Sequence, residues 1–387
     1  MKRILGLDIG SEITSLALGE YEDYNSIKFL SASVLFTKGY ENGRIVDESS
    51  FSKCLYNIVK KAIGINQIDL LNISVSGSSV AVREDSITIK IRKYVTKKDI
   101  HRAEITYQEN FINDKDELIE IIPISYILND KEKVLNPEGR NAVTMTVYYR
   151  VYTINKIFSD KLKSIFEGLN IVNILIYPLI SIYTKIFENV DNPVAILDMG
   201  AETMNLLIKR NNTWESDFTF PIASKSIDYD ISQAFAIRLR QAHGTKEKEG
   251  CAIRENTKNK KINIFESNKK INSTDLLKVI QCRMEELFDG VIYQLQKAEF
   301  DGKIYFTGGG SRLINSDKLL YKMSGLKVEH IFLDKFDNVN NRLDFPHATD
   351  MRIPEYLPSL GLLLCLNKEP EMHLSFFEKF KNFLKTN

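Results

Sequence analysis

A strand–turn–strand unit built around Asp-x-Gly occurs twice in this chain, at Asp8-Ile9-Gly10 and again at Asp198-Met199-Gly200, 190 residues further on. Apolar and β-branched runs flank both turns, ILGLDIGSEITSLALGE over residues 4–20 and VAILDMGAETMNLLIKR over residues 194–210. A unit repeated at that separation predicts two related halves facing each other. With 387 residues, and about 150 per domain, two to three domains are expected. The first half continues with an extended segment at 29–37, a helix at 51–65 and a strand at 70–76. In that helix Leu55, Ile58, Val59 and Ile63 fall at helical spacing. Residues 79–160 change texture. Alternation at 86–94, a helix at 95–108 and a β-branched strand at 143–152 predict an α+β insert. A helix at 160–170 and a strand at 171–176 lead back out of it.

After the second unit come a strand at 218–222, a helix at 228–241 and a Lys/Asn-rich hairpin or loop at 256–272. A long amphipathic helix at 274–297 and a strand at 303–307 follow, the strand ending in Gly308-Gly309-Gly310. Trp214 is expected in a turn between strands, as a packing residue. The 52 Lys and Arg balance 51 Asp and Glu, so no electrostatic drive toward nucleic acid is expected. With 43% hydrophobic and 27% charged residues the chain can build substantial cores, and disorder as its main state is excluded. Four scattered cysteines without a Cys-x-x-Cys pair argue against a disulfide framework or zinc ribbon. The opening MKRILGLDIG has no signal-peptide core, and the apolar stretch 356–366 is broken by Pro358 and Ser359. A cytosolic protein with at most peripheral membrane contact is expected.

Each turn suggests chemistry. Backbone N–H groups left free beside a turn glycine can point at one phosphate. Asp8 and Asp198, at strand ends, could hold a hydrated divalent cation near it, the arrangement that Mg²⁺ prefers. Three glycines after a strand let the backbone approach a base or ribose closely. Asp-x-Gly alone is ordinary hairpin chemistry, and a glycine triplet alone serves plain packing. The ordered set of three is what specifies a site. Neither Gly-x-x-x-x-Gly-Lys-Ser/Thr nor Gly-x-Gly-x-x-Gly is present, which argues against P-loop and Rossmann sites.

The three turns resemble the phosphate-1, phosphate-2 and adenosine signatures of the superfamily that joins actin, heat-shock chaperone ATPases and sugar kinases. Within it, KGYENGRIVD (38–47) resembles the Gly-x-x-x-Gly-x-Ile-x-Asp segment of the bacterial cell-division family FtsA. ISVSGS (73–78), VTKKDIHRA (95–103), the Ile122-Pro123 region with Pro137-Glu138-Gly139, and VIQCRMEELF (279–288) are similar to further family segments. The resemblance implies an α/β, actin-like two-domain fold: two RNase H-like halves around a nucleotide cleft, an FtsA-type α+β insert subdomain and a C-terminal amphipathic helix. The implied boundaries are 1–78 with 161–192 for the first subdomain, also packing the segment near 350–366. The insert is 79–160, the second half 193–366 with a smaller subdomain at about 224–300, and 367–387 the linker and terminal helix.

ATP with Mg²⁺ is the implied ligand. The nucleotide would be held by Asp8, Gly10, Ser11 and Glu12; by Asp198, Gly200, Ala201, Glu202 and Thr203; by His243 and Lys246; and by Gly308, Gly309, Gly310 and Ser311. Asp8 and Asp198 would face the metal. Two departures stand out. The family's Asp-x-Gly-Gly-Gly-Thr-Thr-Asp reads Asp198-Met199-Gly200-Ala201-Glu202-Thr203-Met204-Asn205 here, and His243 stands where relatives carry a ribose-facing acid. Glu202 would add negative charge beside phosphates, with Mg²⁺ or Lys246 expected to offset it. No catalytic base stands out, so binding with at most weak ATPase activity is expected.

The end of the chain, HLSFFEKFKNFLKTN, puts Phe376, Phe377, Phe380, Phe383 and Leu384 on one helical face, with Lys381 beside it. Such a face either docks on its own domain or lies in a bilayer surface. The resemblance favours the bilayer, because FtsA proteins end in a membrane-targeting helix. It further implies a divisome adaptor on the inner face of the cytoplasmic membrane at the division site. Its partners would be the FtsZ C-terminal tail, copies of itself and other division proteins, with no nucleic acid. Lys258, Lys260, Lys261, Lys269 and Lys270 could assist docking of an acidic FtsZ tail. The rival readings are a phosphotransferase or chaperone-like ATPase of the same fold, and a PilM-like pilus-assembly protein.

Overall fold

The computed structural model describes residues 1–366 apart from 24–25, 112–113, 191–192, 256–257 and 345–353. The terminal stripe from Phe376 to Leu384 lies outside the described residues.

Two sheets share one plan. The first runs β11 (Ile171–Pro178), β6 (Ile68–Val75), β1 (Lys2–Ile9), β2 (Ile13–Asp23), β3 (Ser26–Phe36) and β19 (Leu343–Asp344). The second runs β18 (Val328–His330), β17 (Lys303–Thr307), β12 (Val194–Met199), β13 (Met204–Arg210) and β14 (Thr213–Phe220). In each, an antiparallel meander (β1–β2–β3, β12–β13–β14) is followed by two parallel strands on its other side. Asp8 and Asp198 thus occupy the same place, one residue before the end of the central strand. Residues 194–199 are buried throughout, as expected of a strand covered on both faces. The actin-like architecture of two related α/β halves follows from this repeated order.

Helices make the crossovers. α1 (Glu48–Ile63) links β3 to β6, capped by Asp47, which accepts from the Ser50 N–H at 3.1 Å, and closed by Gly64 at φ +58°. α7 (Ser273–Lys297) spans the equivalent step of the second half and buries Leu276, Ile280, Met284, Leu287, Val291 and Leu295 along one face. α4 (Leu179–Ile186) and α10 (Leu357–Leu363) pack on the first half, α10 lying against β1 and β2. α8 (Ser316–Ser324) and the one-turn α9 (Asp337–Asn340) lie in the return path. The hairpin β4 (Tyr40–Glu41) with β5 (Arg44–Ile45) leads into α1. The insert is a separate sheet, β7 (Val80–Lys90), β10 (Thr144–Asn155), β8 (Asp116–Leu128) and β9 (Glu132–Val134), with α2 (Lys97–Phe111) over it. It has its own core, including Tyr107, Met145 and Val147.

Several local expectations are corrected. The helix expected at 228–241 is two, α5 (Lys225–Phe235) and α6 (Leu239–Glu249). Ala236 adopts φ +48° and ends α5, its N–H donating to the Gln233 and Ser232 carbonyls. The helix expected at 160–170 is α3 (Lys156–Ser164), started by Asn155 accepting from the Phe158 N–H at 3.2 Å. Trp214 lies in β14, not in a turn, and is buried. The Lys/Asn-rich stretch, expected as a hairpin or loop, does form a short hairpin, β15 (Lys261–Asn263) with β16 (Lys270–Asn272).

Candidate functional site

The strand–turn–strand units place their turns opposite each other, and the glycine triplet after β17 closes the third side. Together they enclose a cleft of about 450 Å³. Its lining includes Asp8, Gly10, Ser11 and Glu12 of the first turn, and Asp198, Gly200, Ala201 and Thr203 of the second. Gly308, Gly309 and Gly310 line it too, with His243 and Lys246 from α6. Gly308 is required twice over: its φ is +83°, and a side chain there would strike the Asp198 carboxylate and the Met199 carbonyl.

Two expected contributors stand elsewhere. Ser311 is buried, its hydroxyl turned back onto the Gly308 carbonyl at 2.8 Å. Glu202 is not in the lining. Its carboxylate pairs with Lys225 at 2.8 Å and accepts the Asn42 N–H at 2.6 Å, so its charge is neutralised locally. The N–H groups expected to be free at the turn glycines are also spent within the turns. Gly10 donates to the Ile13 carbonyl at 3.1 Å and Gly200 to the Thr203 carbonyl at 2.9 Å.

The floor of the cleft is a pair of carboxylates, one from each half, with Asp198 buried and Asp8 half-buried. Burial pushes Asp8 up to about 7; the Ser74 hydroxyl, which donates to it, works the other way, and the Asp198 charge adds to the rise. Asp198 is raised by burial and accepts from the Tyr183 hydroxyl at 2.6 Å, which opposes the rise. Two carboxylates that repel each other across a polar cleft fit one divalent cation, which would relieve both the repulsion and the burial cost. Among the described residues no group of three or more His, Cys, Asp and Glu side chains is placed to hold a metal, so water would complete the shell.

At the cleft wall Asp228, buried in α5, sits between His243 (3.0 Å to Nδ1) and Lys246 (2.8 Å to Nζ). His243 also lies 3.5 Å from Glu12 of the opposite half and 3.5 Å from Glu247. The hydrogen bond to Asp228 raises the His243 pKa above its ordinary value. Lys246 is thus committed to Asp228 rather than to Glu202. Sequence reading missed Asp228, whose only local signal is an acid beside buried Ile227 on the face of α5. It also missed Tyr183 and Ser74, which the fold brings in from distant strands and helices, and Arg312–Glu355, an ion pair of 2.7 Å at the rim.

Comparison with known proteins supplies a second line of information. The family model "Cell division protein FtsA" matches residues 195–361, and "SHS2 domain inserted in FTSA" matches residues 77–153. Together they cover well over half of the chain. The cell division protein FtsA of Buchnera aphidicola subsp. Baizongia pistaciae is 24% identical over 85% of this chain and 82% of its own length. That of Escherichia coli K12 is 22% identical over 65% of this chain and 61% of its own length, so the match spans under two thirds of that relative. Among solved structures, the PilM–PilN type IV pilus biogenesis complex superposes with a TM-score of 0.67 at 17% identity, covering 95% of this chain and 99% of that one. MreB5 of Spiroplasma citri bound to ADP gives 0.51 at 12% identity, covering 88% and 94%. The MamK double helical filament gives 0.50 at 12% identity, covering 89% and 100%. At these identities the structural likeness establishes the fold alone.

Proposed function

Since this chain belongs to the FtsA cell-division family, we propose that it binds ATP with Mg²⁺ in the cleft, self-associates into actin-like filaments and tethers FtsZ filaments to the inner face of the cytoplasmic membrane at the division site. The observation that carries the nucleotide reading is the convergence of three glycine turns on one cleft floored by Asp8 and Asp198. Asp8 and Asp198 would hold the cation, whose charge would offset that of the phosphates. His243 and Lys246, fixed by Asp228, would face the ribose side, and the Gly308–Gly310 backbone the base. The ADP bound to the MreB5 relative and the filament formed by MamK support nucleotide binding and self-association by fold. ATP then acts as a structural or switching ligand, with at most weak hydrolysis.

The FtsZ C-terminal tail would dock near α5–α7 and the β15–β16 hairpin, aided by Lys258, Lys260, Lys261, Lys269 and Lys270. The stripe Phe376, Phe377, Phe380, Phe383 and Leu384, with Lys381, would lie in the bilayer surface beside other division proteins. Among the described residues no helix is long and apolar enough to cross a membrane. A PilM-like role rests on fold similarity alone, whereas the sequence matches over 77–153 and 195–361 favour FtsA.

Calorimetry with ATP, with and without Mg²⁺, tests the reading on the full chain. Mg²⁺ should tighten ATP by about tenfold or more, and Asp198→Asn should remove that gain. Absence of binding at about 1 mM ATP, or an unaltered Mg²⁺ gain in the variant, would refute it.

A further inference from the structure

The Glu202 carboxylate sits on the seam between the two halves, and its side chain is only 8% exposed. Two donors reach it from the first half. One is the Asn42 N–H at 2.6 Å, from the β4–β5 turn; the other is the Ser11 hydroxyl, from the β1–β2 turn. The third donor, the Lys225 ammonium at 2.8 Å, comes from α5 on its own half.

The Asn42 amide is held in place by its surroundings. Asn42 and Gly43 both take positive φ, +48° and +73°, and Gly43 is packed so closely on the Ser78 and Ser79 amides that a side chain would not fit. The Asn42 carbonyl accepts from the Ser78 hydroxyl. A backbone amide, a hydroxyl and an ammonium converging from three elements form the donor set that binds a phosphate-sized anion. Among the described residues, the anion those donors hold is the chain's own carboxylate.

We propose that Ser11 Oγ, Asn42 N and Lys225 Nζ form an anion site spanning the two halves, which the protein fills with Glu202 and which an incoming phosphate must win from it. Glu202 closes the seam without a ligand. It also engages Ser11, one of the residues proposed to meet the nucleotide phosphates. The competition with ATP rests on the nucleotide reading above; the site and its internal occupant do not.

Hydrogen exchange on the full chain tests this. In Glu202→Ala the Asn42 amide should exchange about ten- to a hundredfold faster than in the unaltered protein, as expected for loss of a hydrogen bond to a charged group. Inorganic phosphate should restore slow exchange in the variant and leave the unaltered protein unchanged. Unchanged exchange in Glu202→Ala, or an equal response of both proteins to phosphate, would overturn the proposal. Should Glu202→Ala fail to fold, the neutral Glu202→Gln carries the same test through its thermal midpoint. Phosphate should raise that midpoint and not that of the unaltered protein, and equal responses would again sink the idea. ATP should bind Glu202→Ala at least about tenfold more tightly, because no internal carboxylate competes. If phosphate rescues the Asn42 amide while neither protein binds ATP, the anion site stands and the nucleotide reading fails.

Discussion

The His243 ring shows how far a single position can be read without its neighbours. Its place in the cleft was legible, because it stands three residues before Lys246 in the segment 242–246, which is similar to a family segment whose acid and lysine face the nucleotide. The effect of exchanging an acid for an imidazole was not legible. The structure restores an acid there from another helix: Asp228 holds His243 and Lys246 together, with Glu12 and Glu247 also facing the ring. The Asp228 hydrogen bond and the Asp228 and Glu12 charges favour the imidazolium, burial and the Lys246 charge oppose it, and the net shift is upward. The sign of the pH dependence follows. A raised histidine pKa contributes stability that is fully present below the unfolded value of about 6.5 and is lost as pH rises through the folded value. His243→Gln should remove this contribution, about 1 kcal/mol or less because the ring is partly solvated. Thermal midpoints of the two proteins should therefore converge from pH 6 toward pH 8.5; a pH-independent difference would show that His243 is not charged in the fold. Glu202 shows the same limit. Its charge could be read locally, but its partner Asn42 lies 160 residues away.

At the level of elements, what was legible is what local chemistry controls. The strand–turn–strand units, α1 and α7 have unbroken period, and α1 carries an Asp47 cap and a closing Gly64 as well, so their sequences declare them. The break between α5 and α6 was hidden because the left-handed residue is Ala236, not glycine. Ala236→Gly should relieve that strain and stabilise the protein by about 0.5–1 kcal/mol, read as a higher urea midpoint at constant slope. A lower midpoint would mean that the methyl group packs usefully. β8 was obscured by Pro123 in mid-strand; the proline is tolerated because pairing with β10 slips at that point, between Tyr148 and Tyr149. The glycine triplet was legible as a close approach, but not what it approaches. Gly308→Ala should cost about 2–3 kcal/mol from its backbone conformation and its clash with Asp198, and should abolish any Mg²⁺-dependent ligand binding. An alanine variant that melts like the unaltered protein would contradict the packing described.

Over the whole molecule, the duplication was legible and the means of holding the halves together was not. Tyr183–Asp198, Asn42–Glu202, Glu12–His243 and Arg312–Glu355 all join the two sides of the cleft, and each pairs residues from different elements, at least 15 positions apart. Contacts of that range follow from topology rather than local pattern. The proposed membrane tether would likewise act on the molecule as a whole. Deleting 376–387 should leave a soluble, folded protein that no longer sediments with liposomes, and undiminished sedimentation would assign membrane contact to another surface. The seating of α10 bears on how such a tether would act. Gly6 of β1 lies directly against the Ser359 carbonyl, and Asn72 of β6 donates to the Leu362 and Cys365 carbonyls at 3.0 and 2.9 Å. Tension on the chain beyond Leu366 would therefore enter β1 and β6 first. Two residues past Gly6, β1 carries Asp8, so a mechanical pull would reach the cleft floor without crossing from one half to the other.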